Sequence, residues 1–459
     1  MKLMLQTTAV LLFALISFTA ISQDAKNEPK EEKVKTGWNF GGLPVVSFDS
    51  DLGFQYGALL NLFNYGDGSM YPDFKHNLYL EWSRFTKGSG INRIFFDSKA
   101  IIPGIRFTTD LSYLTDRMYD FFGYNGYESV YNSHWANSDD PEYLSRAFYK
   151  YDRKLFRFAI DLQGKLPFEN FGWAAGVWLL NYNVGTVDVD KLNEGKTDDL
   201  LPNIPSLYEH YMNWGLITPE EANGSFVSYV KAGVVYDTRD NEPNPNSGMW
   251  TEAVFTYAPS FMGIGSNYQH MKFTLTHRQY FTLFPERLTF AYRLGYQGTV
   301  FGDVPFYLQP NITTLILRGS TSEGLGGGKS LRGVIRNRVI GDGVAWGNLE
   351  LRWKFVKFQF IGQNFYLSLN GFVDGGQVIT PVKVNTSNVD WASYDWQTPD
   401  RNLSRDDIFG TDKESLHLSY GAGLRVVMNR NFIIAIDHGR PFDKRDGASG
   451  TYIGLNFLF

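Results

Sequence analysis

The chain has 459 residues and no cysteine, which excludes disulfide bonds and thiolate chemistry. Its formal net charge of −5 is mildly acidic and gives no reason to expect nucleic-acid binding. Aromatic residues make up 16% of the chain although its mean hydropathy of −0.26 is slightly polar. This combination is typical of a membrane barrel, in which apolar and polar residues alternate and aromatic girdles mark the interfaces.

The N-terminus predicts a secretory signal peptide over residues 1–22. Lys2 precedes an apolar run that ends at Ala20, and small residues at the −3 and −1 positions predict cleavage before Gln23. The run is too short for a membrane-spanning helix, and no later stretch approaches the required ~20 apolar residues. Residues 23–37 are rich in Lys and Glu and are predicted to form a charged periplasmic linker.

Strand-like alternation covers residues 38–459 and predicts about sixteen β-strands. In the twelfth strand, for example, Leu349 and Leu351 alternate with Glu350 and Arg352. The charged face would be costly in lipid but stable in a wet lumen. We therefore predict an all-β fold, a transmembrane antiparallel β-barrel with a lumenal loop between strands 11 and 12. A large soluble β-sandwich or propeller is the alternative, disfavoured because its strands would rarely carry so many outward aromatics.

The predicted strands are identified by their centres, which lie near residues 43, 58, 80, 96, 110, 157, 179, 232, 254, 273, 293, 350, 371, 421, 434 and 455. Short connections, such as 101–104 and 428–431, are predicted to be periplasmic, with the N-terminus on the same side. The long connections are predicted to be extracellular and lie near 116–146, 187–226, 301–344 and 379–415. Their many Tyr, Trp and Asp residues could form a binding surface or a packed cap, and the cap is favoured.

The connection before the twelfth strand is rich in glycine, from residue 324 to Leu331-Arg332-Gly333-Val334. A phosphate-binding loop is excluded because the first glycine of that motif would fall on Glu323. Glycine at these positions instead lets the backbone fold tightly inside a narrow lumen.

Several motifs resemble one known family. Leu331-Arg332-Gly333-Val334, followed by residues 348–352, is similar to the signature loop and next strand of the BamA/TamA superfamily of outer-membrane barrels, the bacterial surface antigen family. Residues 372–378 resemble the family's following strand motif, an Asp-x-Gly after an aromatic residue. The resemblance spans residues 38–459, with further matches at 122–126, 236–240, 245–248 and 421–425.

The resemblance implies that Arg332, next to Gly333, reaches into the lumen and pairs with Asp374. Alternation supports this independently, because the apolar residues at odd positions of that strand would face lipid and Asp374 would face the lumen. Glu350 and Arg352 are predicted to be lumenal too and could extend the network. A bidentate arginine–carboxylate pair would anchor the loop. The alternative is a set of ordinary solvated pore-lining charges.

The first and last strands predict a weak seam. Proline cannot donate a ladder hydrogen bond, and glycine has no side chain to pack. We predict that Phe457 and Phe459 face lipid, and that the seam either opens laterally or is strained without function. The predicted seam residues are Gly41, Gly42 and Pro44 on the first strand and Gly454, Phe457 and Phe459 on the last.

The predicted function is an outer-membrane barrel that assists assembly, insertion or export of outer-membrane or surface components. Family members that handle proteins carry periplasmic repeats, which are expected to be lacking here, so a separate periplasmic partner would be required. The alternatives are a structural or accessory subunit of an outer-membrane complex and a plugged passive pore. Outer-membrane lipid or lipopolysaccharide and periplasmic or outer-membrane proteins are the predicted partners. Neither a serine elbow nor an H-E-x-x-H motif occurs, so no enzyme activity, cofactor or metal site is predicted.

Overall fold

The computed structural model describes residues 34–49, 52–263, 268–314, 324–398 and 403–459. The predicted signal peptide and most of the predicted linker therefore lie outside the described residues. One compact unit comprises Lys35–Phe459. In the described ranges no helix has both the length and the apolar character needed to cross a membrane.

Sixteen antiparallel strands form one sheet, and each strand pairs with its neighbour in the sequence. The predicted number of strands is confirmed, and every predicted centre falls within a strand. The strands are β1 (Trp38–Asp49), β2 (Gly53–Asn64), β3 (His76–Phe85), β4 (Gly90–Ile102), β5 (Ile105–Asp120), β6 (Lys150–Lys165), β7 (Phe171–Gly185), β8 (Phe226–Asp237), β9 (Gly248–Ala258), β10 (His270–Phe284), β11 (Leu288–Gly302), β12 (Gly343–Phe360), β13 (Gln363–Thr380), β14 (His417–Met428), β15 (Phe432–Pro441) and β16 (Gly450–Leu455).

Helical segments lie in the long connections. Helix α2 (Leu207–Asn213) begins with a capping box, in which the Ser206 and Glu209 side chains each accept the other residue's backbone N–H. The helices are α1 (Val189–Asn193) and α2 (Leu207–Asn213), and 3-10 turns cover Gly126–Glu128, Ser133–Ala136, Ser260–Met262, Arg405–Asp407 and Lys444–Asp446.

The two faces of the sheet differ as the period of two requires. On β12, Leu349 and Leu351 are 46% and 45% exposed, whereas Glu350 and Arg352 are 1% and 2% exposed. Because the apolar side chains point outward and the charged ones inward, the outer face matches lipid and the inner face is a polar lumen.

Residues from the two ends of the sheet meet at the rim that carries the short turns. A Cβ placed on Gly41 of β1 would lie 2.4 Å from the ring of Phe432, the first residue of β15. The adjacent Asn431 donates from Nδ2 to the Tyr65 hydroxyl at 2.9 Å, just after β2. Gly41 is therefore required because its missing side chain leaves room for the Phe432 ring where the sheet ends meet.

The prediction that Phe457 and Phe459 face lipid is wrong. β16 ends at Leu455, and Asn456 adopts a left-handed φ of 71°. The two phenylalanines that follow are each 7% exposed, and Phe459 packs on Tyr280 of β10 and its neighbours. The reason is electrostatic as well as apolar: the Arg352 guanidinium lies 4.3 Å from the Phe457 ring and 5.0 Å from the Phe459 ring. A buried cation attracts the faces of aromatic rings, and lipid chains offer no such attraction.

Candidate functional site

The described part of the β11–β12 connection, which includes residues 324–342, lies inside the barrel. Leu331 and Val334 have no exposed surface. They pack with Trp346 of β12 and Val378 of β13, on the lumenal side of the sheet. This apolar contact places the polar residue between them, Arg332, opposite the inner faces of β12 and β13.

Arg332 forms a bidentate pair with Asp374. Its Nε donates to Oδ2 at 2.8 Å and its Nη2 donates to Oδ1 at 2.9 Å, and the backbone N–H of Arg332 adds a third bond at 3.0 Å. Nη1 donates to Glu350 at 2.7 Å, and the guanidinium lies 3.6 Å from the centre of the Phe372 ring. Neither Arg332 nor Asp374 has exposed surface, so bulk water does not screen the pair.

The loop passes against β15 at a pair of glycines. Gly333 has a φ of 100°, and a Cβ on it would lie 2.5 Å from the backbone nitrogen of Arg440. Across from it, a Cβ on Gly439 would lie 2.5 Å from the Arg332 carbonyl oxygen. Only glycine at both positions permits this approach, which also lets the Gly333 N–H donate to the Tyr452 hydroxyl of β16 at 3.0 Å.

Arg352 links the network to the end of the sequence. Its Nε donates to Glu350 at 2.8 Å, and its Nη2 donates to the Phe459 backbone oxygen at 2.8 Å. The loop residue Arg332 and its predicted lumenal partners Asp374, Glu350 and Arg352 thus form one connected network, in which Glu350 joins the two arginines. The predicted seam residues are separated from this group, except for Phe457 and Phe459, which contact Arg352.

Sequence reasoning missed Asp437 on β15. Its carboxylate accepts two bonds from Arg425 of β14, at 2.8 and 2.9 Å, and lies 3.6 Å from Arg332 Nη1. Alternation with Ile434 and Ile436 could have placed Asp437 on the lumenal face. Three arginines and three carboxylates of this network each contact a residue of opposite charge; they are Arg332, Arg352, Arg425, Glu350, Asp374 and Asp437.

The β8–β9 connection crosses the end of the lumen that carries the short turns. Its Glu242 accepts from Arg106 of β5 at 2.8 Å and from Lys99 of β4 at 3.0 Å. On the far side Asn246 accepts from Lys354 of β12 at 2.6 Å. Burial alone would raise the pKa of Glu242, but the surrounding cations hold it below its ordinary value. The connection therefore joins two opposite parts of the barrel across its mouth.

The long connections pack into an aromatic cluster at the other end. Trp214, which follows α2, contacts Trp391 and Trp396 at ring separations of 5.1 and 5.6 Å. His210 lies 5.2 Å from Trp396 and bonds through Nδ1 to the Tyr394 hydroxyl at 2.8 Å. Burial lowers the pKa of His210 to about 4. Most of these rings are turned toward one another, as in a packed cap.

Sixteen strands with an apolar exterior and a charged, loop-filled interior define an integral outer-membrane β-barrel protein. Residues 104–459 match the model of the Omp85 superfamily domain, and the chain belongs to that superfamily. It is a bacterial outer-membrane protein of the Omp85/BamA/TamA type, and the resemblance described from the loop and strand motifs is confirmed. No curated protein matches the sequence.

Several solved structures are similar to this chain. BamA from Haemophilus ducreyi lacking POTRA domains 1–3 is 15% identical, over 92% of this chain and 70% of that chain, with a TM-score of 0.48. CdiB from Escherichia coli is 12% identical, over 92% of this chain and 62% of that chain, with a TM-score of 0.52. CdiB from Acinetobacter baumannii is 14% identical, over 92% and 60%, with a TM-score of 0.43. The chain thus spans about 60% of the length of the CdiB proteins.

Proposed function

We propose that this barrel assists the insertion or export of outer-membrane or surface components through a weak seam at β16, together with a separate periplasmic partner. The observation that carries the proposal is the length of β16. A tilted transmembrane β-strand needs about 9–11 residues to cross the hydrocarbon core. β16 has 6 residues, against 12 in β1 and 18 in β12.

The short last strand leaves part of the β1 edge without a full-length partner in the membrane. Each ladder hydrogen bond missing there leaves backbone groups that lipid cannot satisfy, so the seam is the easiest place for the sheet to part. Pro44 in β1 has no N–H to donate, which supports the same conclusion. An incoming strand with free backbone groups would find a matching edge at this position.

A cross-linked seam tests the proposal, because the native chain has no cysteine. Gly41→Cys with Phe432→Cys, joined by a short bis-maleimide, ties β1 to β15 across the seam. The control is Ala435→Cys with Gly454→Cys, which lie opposite each other on β15 and β16 and so tie two strands on the same side of the seam. We expect cells with the seam cross-link to lose a subset of outer-membrane or surface proteins, and cells with the control cross-link to keep them. The proposal is contradicted by an unchanged outer-membrane proteome in cells whose seam is fully cross-linked, if removal of the barrel depletes that proteome.

The partner is expected to contact the rim formed by the short turns, which we place in the periplasm with the N-terminus. Phe168 and Ile361 on this rim are 70% and 80% exposed, and Phe261 in a connection at the other end is 83% exposed. A photo-reactive residue at either rim position should capture a periplasmic protein, and one at Phe261 should not. If neither rim position gives a cross-linked product, the proposed periplasmic partner is contradicted.

A passive pore is the weaker candidate because the lumen is obstructed at three levels. The β8–β9 connection lies at one mouth, the Arg332 loop occupies the interior and the aromatic cap covers the other mouth. An accessory subunit remains the second candidate function, favoured by the packed cap. Seam cross-linking separates the two, because an accessory subunit does not need to open.

A further inference from the structure

We propose that the outer wall of β5–β7 binds the phosphorylated sugar headgroup of an outer-leaflet glycolipid, through Lys154, Asn181 and Asn183. This goes beyond the proposed role in assembly and does not depend on the seam. It rests only on the orientation given above, in which the long connections are extracellular.

The first observation is a run of polar side chains on the lipid-facing side of the sheet. On β6 the outward positions change from Phe158 and Phe156 to Lys154 and Asp152 toward the long-connection end, and the intervening Arg157, Leu155 and Arg153 are buried. The same ends of β11 and β13 carry Val300 and Ile379 outward, 53% and 54% exposed. Polar groups in hydrocarbon are expensive, so the outer wall of β5–β7 is built for a headgroup layer.

The strand register gathers these residues into one site. Lys154 lies opposite Thr115 on one side and Asn183 on the other, whereas Phe156 lies opposite Tyr113 and Asn181. Directly opposite residues have Cβ atoms about 5 Å apart, so the two rows form a single surface across three strands. Strand pairing alone therefore brings the cation and both amides together.

A depression of about 220 Å³ lies on this surface, lined by Tyr113, Lys154, Phe156, Asn181 and Asn183. Two aromatic rings offer apolar faces to a sugar ring. Two amides can each donate to and accept from hydroxyl groups, and an ammonium group can bind a phosphate oxygen. This combination fits a phosphorylated saccharide better than it fits an acyl chain.

The local charge favours an anion. Arg117 donates to Asp152 at 2.7 Å, while Lys154 Nζ lies 3.8 Å from the same carboxylate. One carboxylate thus faces two cations. Farther along the same outward face, Arg84 adds another cation and donates to Asn92 at 2.8 Å. Because Lys154, Arg117 and Arg84 outnumber Asp152 on the outward face of these strands, beside uncharged hydrogen-bonding groups, we commit to an anionic glycolipid of the outer leaflet as its occupant.

The binding test uses the full barrel purified from outer membranes and native mass spectrometry. The probe is a lipid A-type glycolipid, compared with its dephosphorylated form and with phosphatidylglycerol. We expect Lys154→Glu to lower retention of the phosphorylated glycolipid about tenfold, the size expected for loss of one charge-assisted hydrogen bond. Asn183→Leu should also lower it. Lys357→Glu, a charge reversal near the β12–β13 turn at the opposite rim, is the matched control and should retain the lipid like the wild type.

If the Lys154→Glu and Lys357→Glu variants retain the phosphorylated glycolipid equally, the proposed site is wrong. If the wild type retains phosphatidylglycerol as well as it retains the glycolipid, the choice of a sugar-bearing ligand is wrong. Both variants must keep the heat-modifiable gel migration of a folded barrel; a Lys154→Gln variant with intact migration replaces Lys154→Glu if the latter does not. A separate test of the orientation uses Asn181→Cys, which introduces the only cysteine into the chain. Labelling of intact cells by an impermeant maleimide supports it, and labelling only after permeabilisation would overturn the outer-leaflet assignment.

Discussion

Replacing Asp374 by asparagine should release the lumenal loop while preserving the shape of the side chain. The Asp374 carboxylate accepts three hydrogen bonds from Arg332, and both residues are fully buried. Removing one partner of a buried ion pair costs about 3–5 kcal/mol. Arg332 keeps its bond to Glu350 in this variant, so the lower end of that range, about 3 kcal/mol, is expected.

Such a loss corresponds to an increase of about 100-fold in the population of the open loop. Hydrogen exchange of residues 324–342 measures it directly, because the Arg332 amide is one of the bonded donors. Asp374→Lys, which places two cations together, should in addition lower barrel assembly and the temperature at which the folded form unfolds on gels. The matched control is Asp443→Asn, which removes an exposed pair with Arg445 at 2.7 Å. Exposed pairs contribute about 0–1 kcal/mol, so exchange in the loop should remain at the wild-type rate.

The reasoning is refuted if Asp374→Asn leaves exchange of the loop unchanged and Asp374→Lys assembles and unfolds like the wild type. In that case the contacts of Leu331 and Val334 would be sufficient to hold the loop, and the ion pair would be a consequence of its position.

Three further predictions concern the tail and the two ends of the lumen. Arg352→Leu removes the cation that holds Phe457 and Phe459, so carboxypeptidase should trim the tail faster than in the wild type; equal rates would contradict the lumenal anchor. Glu242→Gln removes the charge that Arg106 and Lys99 bind, so planar bilayers should show more frequent open events, and wild-type conductance would contradict the closed mouth. His210, buried with a pKa of about 4 against 6.5, is neutral when the cap is folded. An opened cap would take up the proton between these values, so the cap should lose up to about 3 kcal/mol as the pH falls from 6.5 to 4. Faster exchange in α2 at pH 5 than at pH 7, after correction for intrinsic rates, checks this, and His210→Gln should abolish the difference.

Alternation made the sheet predictable from the sequence. The period of two is a local pattern, so the sequence of one strand is enough to assign its inward and outward faces. For this reason the sequence by itself predicts about sixteen strands and assigns Asp374 and Glu350 to the lumen. The same alternation places Asp437 on the lumenal face, but its strand carries no family motif that marks Asp437 as a site residue.

Partners across the lumen could not be read in this way. The approach of Gly333 to Gly439, and of its N–H to Tyr452, depends on where a loop lies relative to strands more than a hundred residues away. Nothing in the local pattern of the β8–β9 connection shows that Glu242 reaches β4 and β5. These contacts depend on how the whole sheet curves around the lumen.

The C-terminal residues show most clearly which features the sequence predicts and which depend on the tertiary structure. The alternation from Gly450 onward determined a final strand, but it assigned Phe457 and Phe459 to lipid because a strand that continues must alternate. Only the tertiary structure decided that the strand stops at Leu455 and that the tail turns inward. Lipid offers phenylalanine only apolar contact, whereas the lumen offers apolar contact together with the buried guanidinium of Arg352.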